Sequence, residues 1–168
     1  MKKKTEDMIK YFLEPDYHGG FMYTKENNLY YAGGQHACVQ FIDPLSGLDP
    51  NVRSFGFRAI MKRAEDAGMI LTELPNKQEI KNAIRKLAGR KYGLTVVWHE
   101  GSFVVNARYL LKAIEGLNAT VCYKSSINPR KSGIMLYEND DLNSDNKIYI
   151  MPVLFNKEKV KGFYIYQG

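Results

Sequence analysis

Short runs rich in Tyr, Val, Ile and Met, each closed by a few polar or glycine residues, recur along this chain and constrain its fold most. They lie at 21–24, 29–32, 37–42, 119–124, 134–138, 147–154 and 162–167. Aromatic and β-branched residues fit a pleated, half-buried surface. Within 21–42 and within 119–167 the turns between these runs are too short for the long crossover that parallel strands need, so neighbours there return antiparallel, as hairpins or meanders. The implied class is α+β, an antiparallel sheet with helices on one face.

The helices are legible from caps and periodicity. Thr5 to Leu13 places Met8, Ile9, Phe12 and Leu13 at helical spacing, with Thr5 as N-cap and Pro15 beyond its end. After a loop at Asp43 to Pro50, two helices are expected, Ser54 to Ala67 stopped by Gly68 and Asn76 to Ala88 stopped by Gly89, with a strand between them at Met69 to Leu74. Leu94 to His99 and Ser102 to Val105 read as strands. Asn106 caps a fourth helix that runs to Glu115, with Gly116 closing it. A helix followed by a strand meander thus occurs near each end, the outline of a twofold repeat. A length of 168 residues suits one domain with a core of its own, here with a helical insert at about 53–91.

The charge is unevenly placed. The chain carries a net +6, and the stretch from Arg53 to Lys91 holds ten basic and four acidic residues, so the whole excess falls there. Such a segment is either an electrostatic footprint for nucleic acid or a solvated helical face. Within it Lys77, Lys81 and Arg85 are four apart on one helix face, opposite Ile80, Ala83, Ile84 and Leu87, and Arg58 and Lys62 repeat the spacing one helix earlier. Basic rows of this kind follow phosphates without reading sequence.

Other chemistry is sparse. Cys38 and Cys122 form neither a disulfide framework nor a metal spacing, and are expected as free buried thiols, with a bridge between them left open. His18, His36 and His99 have no metal-ligand spacing. His36 and Cys38, two apart on a strand, are the only conceivable nucleophile pair; the plainer reading is a buried Cys beside an uninvolved His. The acidic loop at Asp140, Asp141 and Asp145 lacks a calcium-loop spacing. Lys2, Lys3 and Lys4 are followed at once by Glu6 and Asp7 with no apolar run behind them, so no signal peptide or membrane span is expected and the location implied is cytoplasmic.

The segment Phe103 to Ile114 (FVVNARYLLKAI) runs a strand into a helix with Asn106, Tyr109, Leu110 and Ile114 in the pattern Asn-x-x-Tyr-Leu-x-x-x-Leu, and Ile148 to Leu154 (IYIMPVL) follows about thirty residues downstream. Both resemble the third domain of the bacterial DNA polymerase III β sliding clamp family. Met151 and Pro152 match its closing strand, and Leu154 stands where that family has Arg. Ala32 and His36 in Leu29 to Ala37 (LYYAGGQHA) echo a strand of the family's second domain. The resemblance covers residues 94–155 and gives the 53–91 insert no counterpart. It implies a clamp-like domain with helices on the inner face, acting without catalysis or cofactor in DNA replication as a processivity factor. Its implied partners are the duplex DNA backbone and replication or repair proteins, and a ring would need self-association. Arg108 and Lys112 would then face DNA on the helix whose other stripe is Leu110, Ala113, Ile114 and Leu117; the plainer reading of Lys112 is a pair with Glu115. Tyr109, Met151, Pro152, Val153 and Leu154 would belong to a pocket for short peptide motifs, or else to an ordinary edge strand with Pro152 where no donor is needed. The alternative function is a protein-interaction module of the same fold that binds no DNA.

Overall fold

The computed structural model describes residues 1–87, 96–98, 103–125 and 133–153. In chain order these form α1 (Lys3–Phe12), β1 (Tyr23–Glu26), β2 (Leu29–Gly33), β3 (Ala37–Phe41), α2 (Phe57–Asp66), β4 (Met69–Glu73), α3 (Lys77–Leu87), β5 (Val96–Trp98), β6 (Val104–Asn106), α4 (Ala107–Leu117), β7 (Val121–Ser125), β8 (Ile134–Tyr137), a 3-10 turn (Glu138–Asp140) and β9 (Lys147–Ile150). The expected strand at 162–167, the stop at Gly89, His99 and Leu154 lie outside the described residues.

Seven strands make one antiparallel sheet in the order β1-β2-β3-β9-β8-β7-β4, and β5 and β6 pair as a separate hairpin. The order exposes a twofold plan. α1 leads into the meander β1-β2-β3 and α4 into β7-β8-β9, and the two halves join through antiparallel β3 and β9 with Val39 opposite Ile148. β4, from the basic insert, pairs with β7 from Met69↔Ser125 to Glu73↔Val121 and so extends the sheet by one strand.

Because successive residues of a strand face opposite sides, each strand feeds two cores. On one side Tyr23, Ala32, Val39, Phe41, Leu136, Ile148 and Ile150 pack against Met8, Ile9 and Phe12 of α1, Leu110, Ala113, Ile114 and Leu117 of α4 and Ile80 of α3. On the other, Tyr31, Cys38, Met135 and Tyr137 pack against Phe57 and Met61 of α2. The α+β class and antiparallel sheet are thus as the sequence implies. Helices on one face holds for α1, α3 and α4, whereas α2 crosses to the other face, because Tyr31 and Tyr137 leave a large apolar surface there that Phe57 and Met61 cover.

Polar groups pin α2 in place. The Glu65 carboxylate accepts from the Tyr137 hydroxyl at 3.0 Å and from Lys147 Nζ at 2.6 Å, and Lys147 Nζ also lies 5.6 Å from the centre of the Tyr137 ring. Burial, with Glu65 beside it, holds the Tyr137 phenol well above its ordinary range. Removing the carboxylate strands both donors on a mostly covered surface, so Glu65→Ala is expected to cost about 1–3 kcal/mol in chemical denaturation. A loss below about 0.5 kcal/mol, the usual range for surface changes, would contradict this packing.

Two local expectations are corrected. Thr5 is not the N-cap of α1: the helix starts after Lys2, and buried Thr5 donates its hydroxyl to the Gly116 carbonyl at 3.0 Å. Gly116 does not close α4, which runs to Leu117 and ends at Asn118 in the left-handed conformation (φ 50°). Gly116 is instead where α1 crosses: a Cβ there would lie 2.5 Å from Met8 Cβ. Asn106 caps α4 as expected, accepting from the Arg108 and Tyr109 amides at 2.9 and 3.4 Å.

Both cysteines are free and buried. Burial pushes the Cys122 thiol up to about 12, the Tyr31 phenol up to about 12, and Cys38 well above its ordinary value. A raised acid keeps its proton longer in the folded chain. Its contribution is therefore intact below the unfolded pKa, near 9 for Cys and 10 for Tyr, and is lost as pH climbs towards 12. The Cys122 and Tyr31 shifts together should lower stability in denaturant by about 2–3 kcal/mol between pH 8 and pH 10.5, Cys38 and Tyr137 add to the fall in the same direction, and Cys122→Ala should make it shallower. An equally steep fall in Cys122→Ala would contradict the assignment.

Candidate nucleic-acid interface

The amphipathic pattern that buries one stripe of each helix on the sheet forces its charged residues outwards. α1, α3 and α4 share one sheet face and together carry nine basic residues and four acidic ones, a net +5 of the chain's +6. Arg85, Arg108 and Lys112 are all exposed on this layer.

Ion pairs link the three helices. Lys77 and Lys81 of α3 reach the Glu115 carboxylate of α4 at 3.8 and 3.6 Å. Glu115 therefore pairs with α3, and Lys112 Nζ lies instead 5.2 Å from the centre of the Tyr11 ring on α1. Shallow grooves run around the last turns of α4. One of about 350 Å³ is lined by Lys4, Lys77, Glu115 and Asn118 among others, and one of about 140 Å³ by Lys4, Asp7, Met8, Lys112, Glu115 and Gly116. Lys4 enters both, a contribution the sequence did not single out. Helical spacing alone would put Lys4 on the same side as buried Met8, and it is exposed because it lies in the first turn, at the end of that stripe.

The other basic row goes elsewhere. Arg58 and Lys62 lie on α2, on the opposite side of the sheet, and both are exposed. With the Asn27 carboxamide oxygen turned towards it, the Arg58 guanidinium donates at 2.8 and 2.9 Å to the β1–β2 turn. The seven basic residues expected to contact nucleic acid thus divide, with Lys77, Lys81, Arg85, Arg108 and Lys112 on one side and Arg58 and Lys62 on the other. Periodicity places a residue on a helix face but does not say which sheet face the helix covers.

The residues expected around a peptide pocket come together in part. Tyr109, in the first turn of α4, packs its ring edge-on to Phe12 at 5.4 Å and lies 5.9 Å from the His36 ring. The Met151 amide donates to the His36 carbonyl at 3.0 Å, and the Val153 amide donates to the Val104 carbonyl at 2.9 Å. Met151, Pro152 and Val153 therefore continue from β9 across the start of β3 towards β6, half-buried, with Tyr109 at the same end. Burial, with Tyr11 and Glu14 nearby, holds the Tyr109 phenol above its usual range.

Cys38 is fully buried on the α2 side and its thiol is pushed up by burial, so it is not poised as a thiolate beside exposed His36. Asp140 accepts from the Thr120 amide at 2.8 Å, from the Thr120 hydroxyl and from the Val121 amide at 3.2 Å, which fixes the turn after α4. Among the described residues no group of three His, Cys, Asp or Glu is placed to hold a metal ion, and no helix is long and apolar enough to cross a membrane. Compared with protein-family models, with curated proteins and with solved structures, the chain matches none.

Proposed function

We propose that this protein is a non-enzymatic, clamp-like module that contacts the backbone of duplex DNA through the outer surface of α1, α3 and α4. The observation that carries the reading is the concentration of a net +5 on three helices lying on one face of an antiparallel sheet. A rigid layer of Lys and Arg neutralises phosphates and releases counterions, which gives sequence-independent binding that weakens with salt. The twofold plan of helix and meander supports the clamp-like part of the reading. Titrating a fluorescent 20-base-pair duplex with the protein from 50 to 300 mM salt tests it. Micromolar binding at low salt with a negative log–log slope is the expected result, and no binding at 50 mM overturns it.

A second reading, a protein-interaction module in replication or repair, is favoured by the meeting of Tyr109, His36, Met151 and Val153 at one end of the sheet. On that reading Tyr109→Ala weakens capture of a peptide partner and leaves DNA affinity unchanged.

A further inference from the structure

Glu115 is a misplaced charge. It sits in the last turn of α4, a turn with no basic residue of its own, where the carbonyl end of the helix already carries partial negative charge. Its ion pairs come from another helix, Lys77 and Lys81 of α3 at 3.8 and 3.6 Å, and Lys4 of α1 lines the grooves beside it. Both distances exceed the 2.7–3.2 Å of an N–H···O hydrogen bond. The side chains of Lys77, Lys81 and Glu115 retain 48%, 38% and 36% of their exposure, so water reaches all three. Exposed pairs of this kind contribute little to stability. They do, however, set which anion the two ammonium groups face.

We propose that Glu115 is a built-in competitor for the phosphate seat, its carboxylate holding Lys77 and Lys81 in the free protein and yielding them when a phosphodiester of duplex DNA arrives. The proposal rests on the DNA-contacting reading and refines it. A carboxylate and a phosphodiester each carry one negative charge, and the oxygens of either serve as acceptors for an ammonium. Exchange therefore leaves both lysines paired and turns Glu115 out to solvent. The cost is a weaker and less salt-sensitive grip on DNA than five exposed cations would give.

The test compares Glu115→Gln with Glu79→Gln, which removes an equal charge from an exposed position on α3. Binding to a 20-base-pair duplex is measured from 50 to 300 mM salt. Glu115→Gln is expected to tighten binding at least about fivefold and to steepen the log–log salt slope by about one to two. Glu79→Gln is expected to change affinity by less than about twofold. In a Lys77→Gln/Lys81→Gln background the advantage of Glu115→Gln should disappear, since the pairs it released are gone. Equal effects of the two glutamine variants, or an advantage that survives in that background, overturn the competitor role and leave the DNA reading standing. Failure of both wild type and Glu115→Gln to bind at 50 mM overturns the DNA reading and this proposal with it.

Discussion

Gly33→Ala is expected to destabilise the fold by about 3–5 kcal/mol, from overpacking of about 1–3 kcal/mol and backbone strain of similar size. Gly33 ends β2 at φ 157°, and a Cβ built on it would lie 2.1 Å from the Ala37 carbonyl oxygen and 2.9 Å from Cys38 Cα. Those atoms cannot retreat cheaply. Gly33 is paired with Cys38 in the β2–β3 hairpin, its amide donates to the Met22 carbonyl at 3.2 Å, and β3 is locked to β9 on its far side. Gly47→Ala provides the contrast. Gly47 also has a left-handed φ of 74°, but nothing lies within 4 Å of its added Cβ. Its cost should be near 1 kcal/mol, the conformational penalty alone. Chemical denaturation of both variants decides the matter, and equal costs would mean that the hairpin does not close as described. A loss of 3–5 kcal/mol is a large share of the 5–15 kcal/mol typical of a domain, so Gly33→Ala is best measured at low temperature.

The largest functional effect is expected from reversing charge on the helical layer. Arg85→Glu/Arg108→Glu/Lys112→Glu changes three exposed side chains that hold no part of either core. Folding should be nearly unchanged, since surface substitutions away from packed features fall within about ±0.5 kcal/mol. On the proposed DNA-contacting reading, duplex DNA affinity at 100 mM salt should drop about a hundredfold, because three cations become three anions that repel phosphates. These residues make a sharper probe than Lys77 and Lys81, whose ammonium groups are already shared with Glu115.

What could be read from the sequence was whatever depends on local chemistry. The stripes Met8, Ile9, Phe12 and Leu110, Ala113, Ile114, Leu117 announced α1 and α4 and their buried sides. The cap at Asn106, the cap at Asn76 (which accepts from the Gln78 amide at 2.8 Å) and the left-handed stop at Gly68 followed from single residues. Even the helix–meander repeat was visible as order along the chain. What escaped was set by tertiary choice. Thr5 is an adequate cap by type, yet its hydroxyl is used on the Gly116 carbonyl, 111 residues away. Gly116 resembles a helix stop and is instead the gap that lets α1 approach α4. The side taken by α2 could not be read because its stripe, Phe57 and Met61, fits any apolar surface, and only the pairing of β2, β3 and β8 shows where Tyr31, Cys38 and Tyr137 present one. For the same reason the basic rows of α2 and α3, which share one basic segment of the sequence, end on opposite sides of the sheet.

That separation provides the most direct test of the central claim, that one helical face contacts DNA. Wild type, the Arg85→Glu/Arg108→Glu/Lys112→Glu variant and an Arg58→Glu/Lys62→Glu variant of α2 are titrated side by side against one duplex over a salt series. Contact through the helical face gives salt-sensitive binding by wild type, a collapse of about a hundredfold with a shallower salt slope for the helical-face variant, and a change under about threefold for the α2 variant. Equal losses from the two faces, or no binding by wild type at low salt, would contradict it.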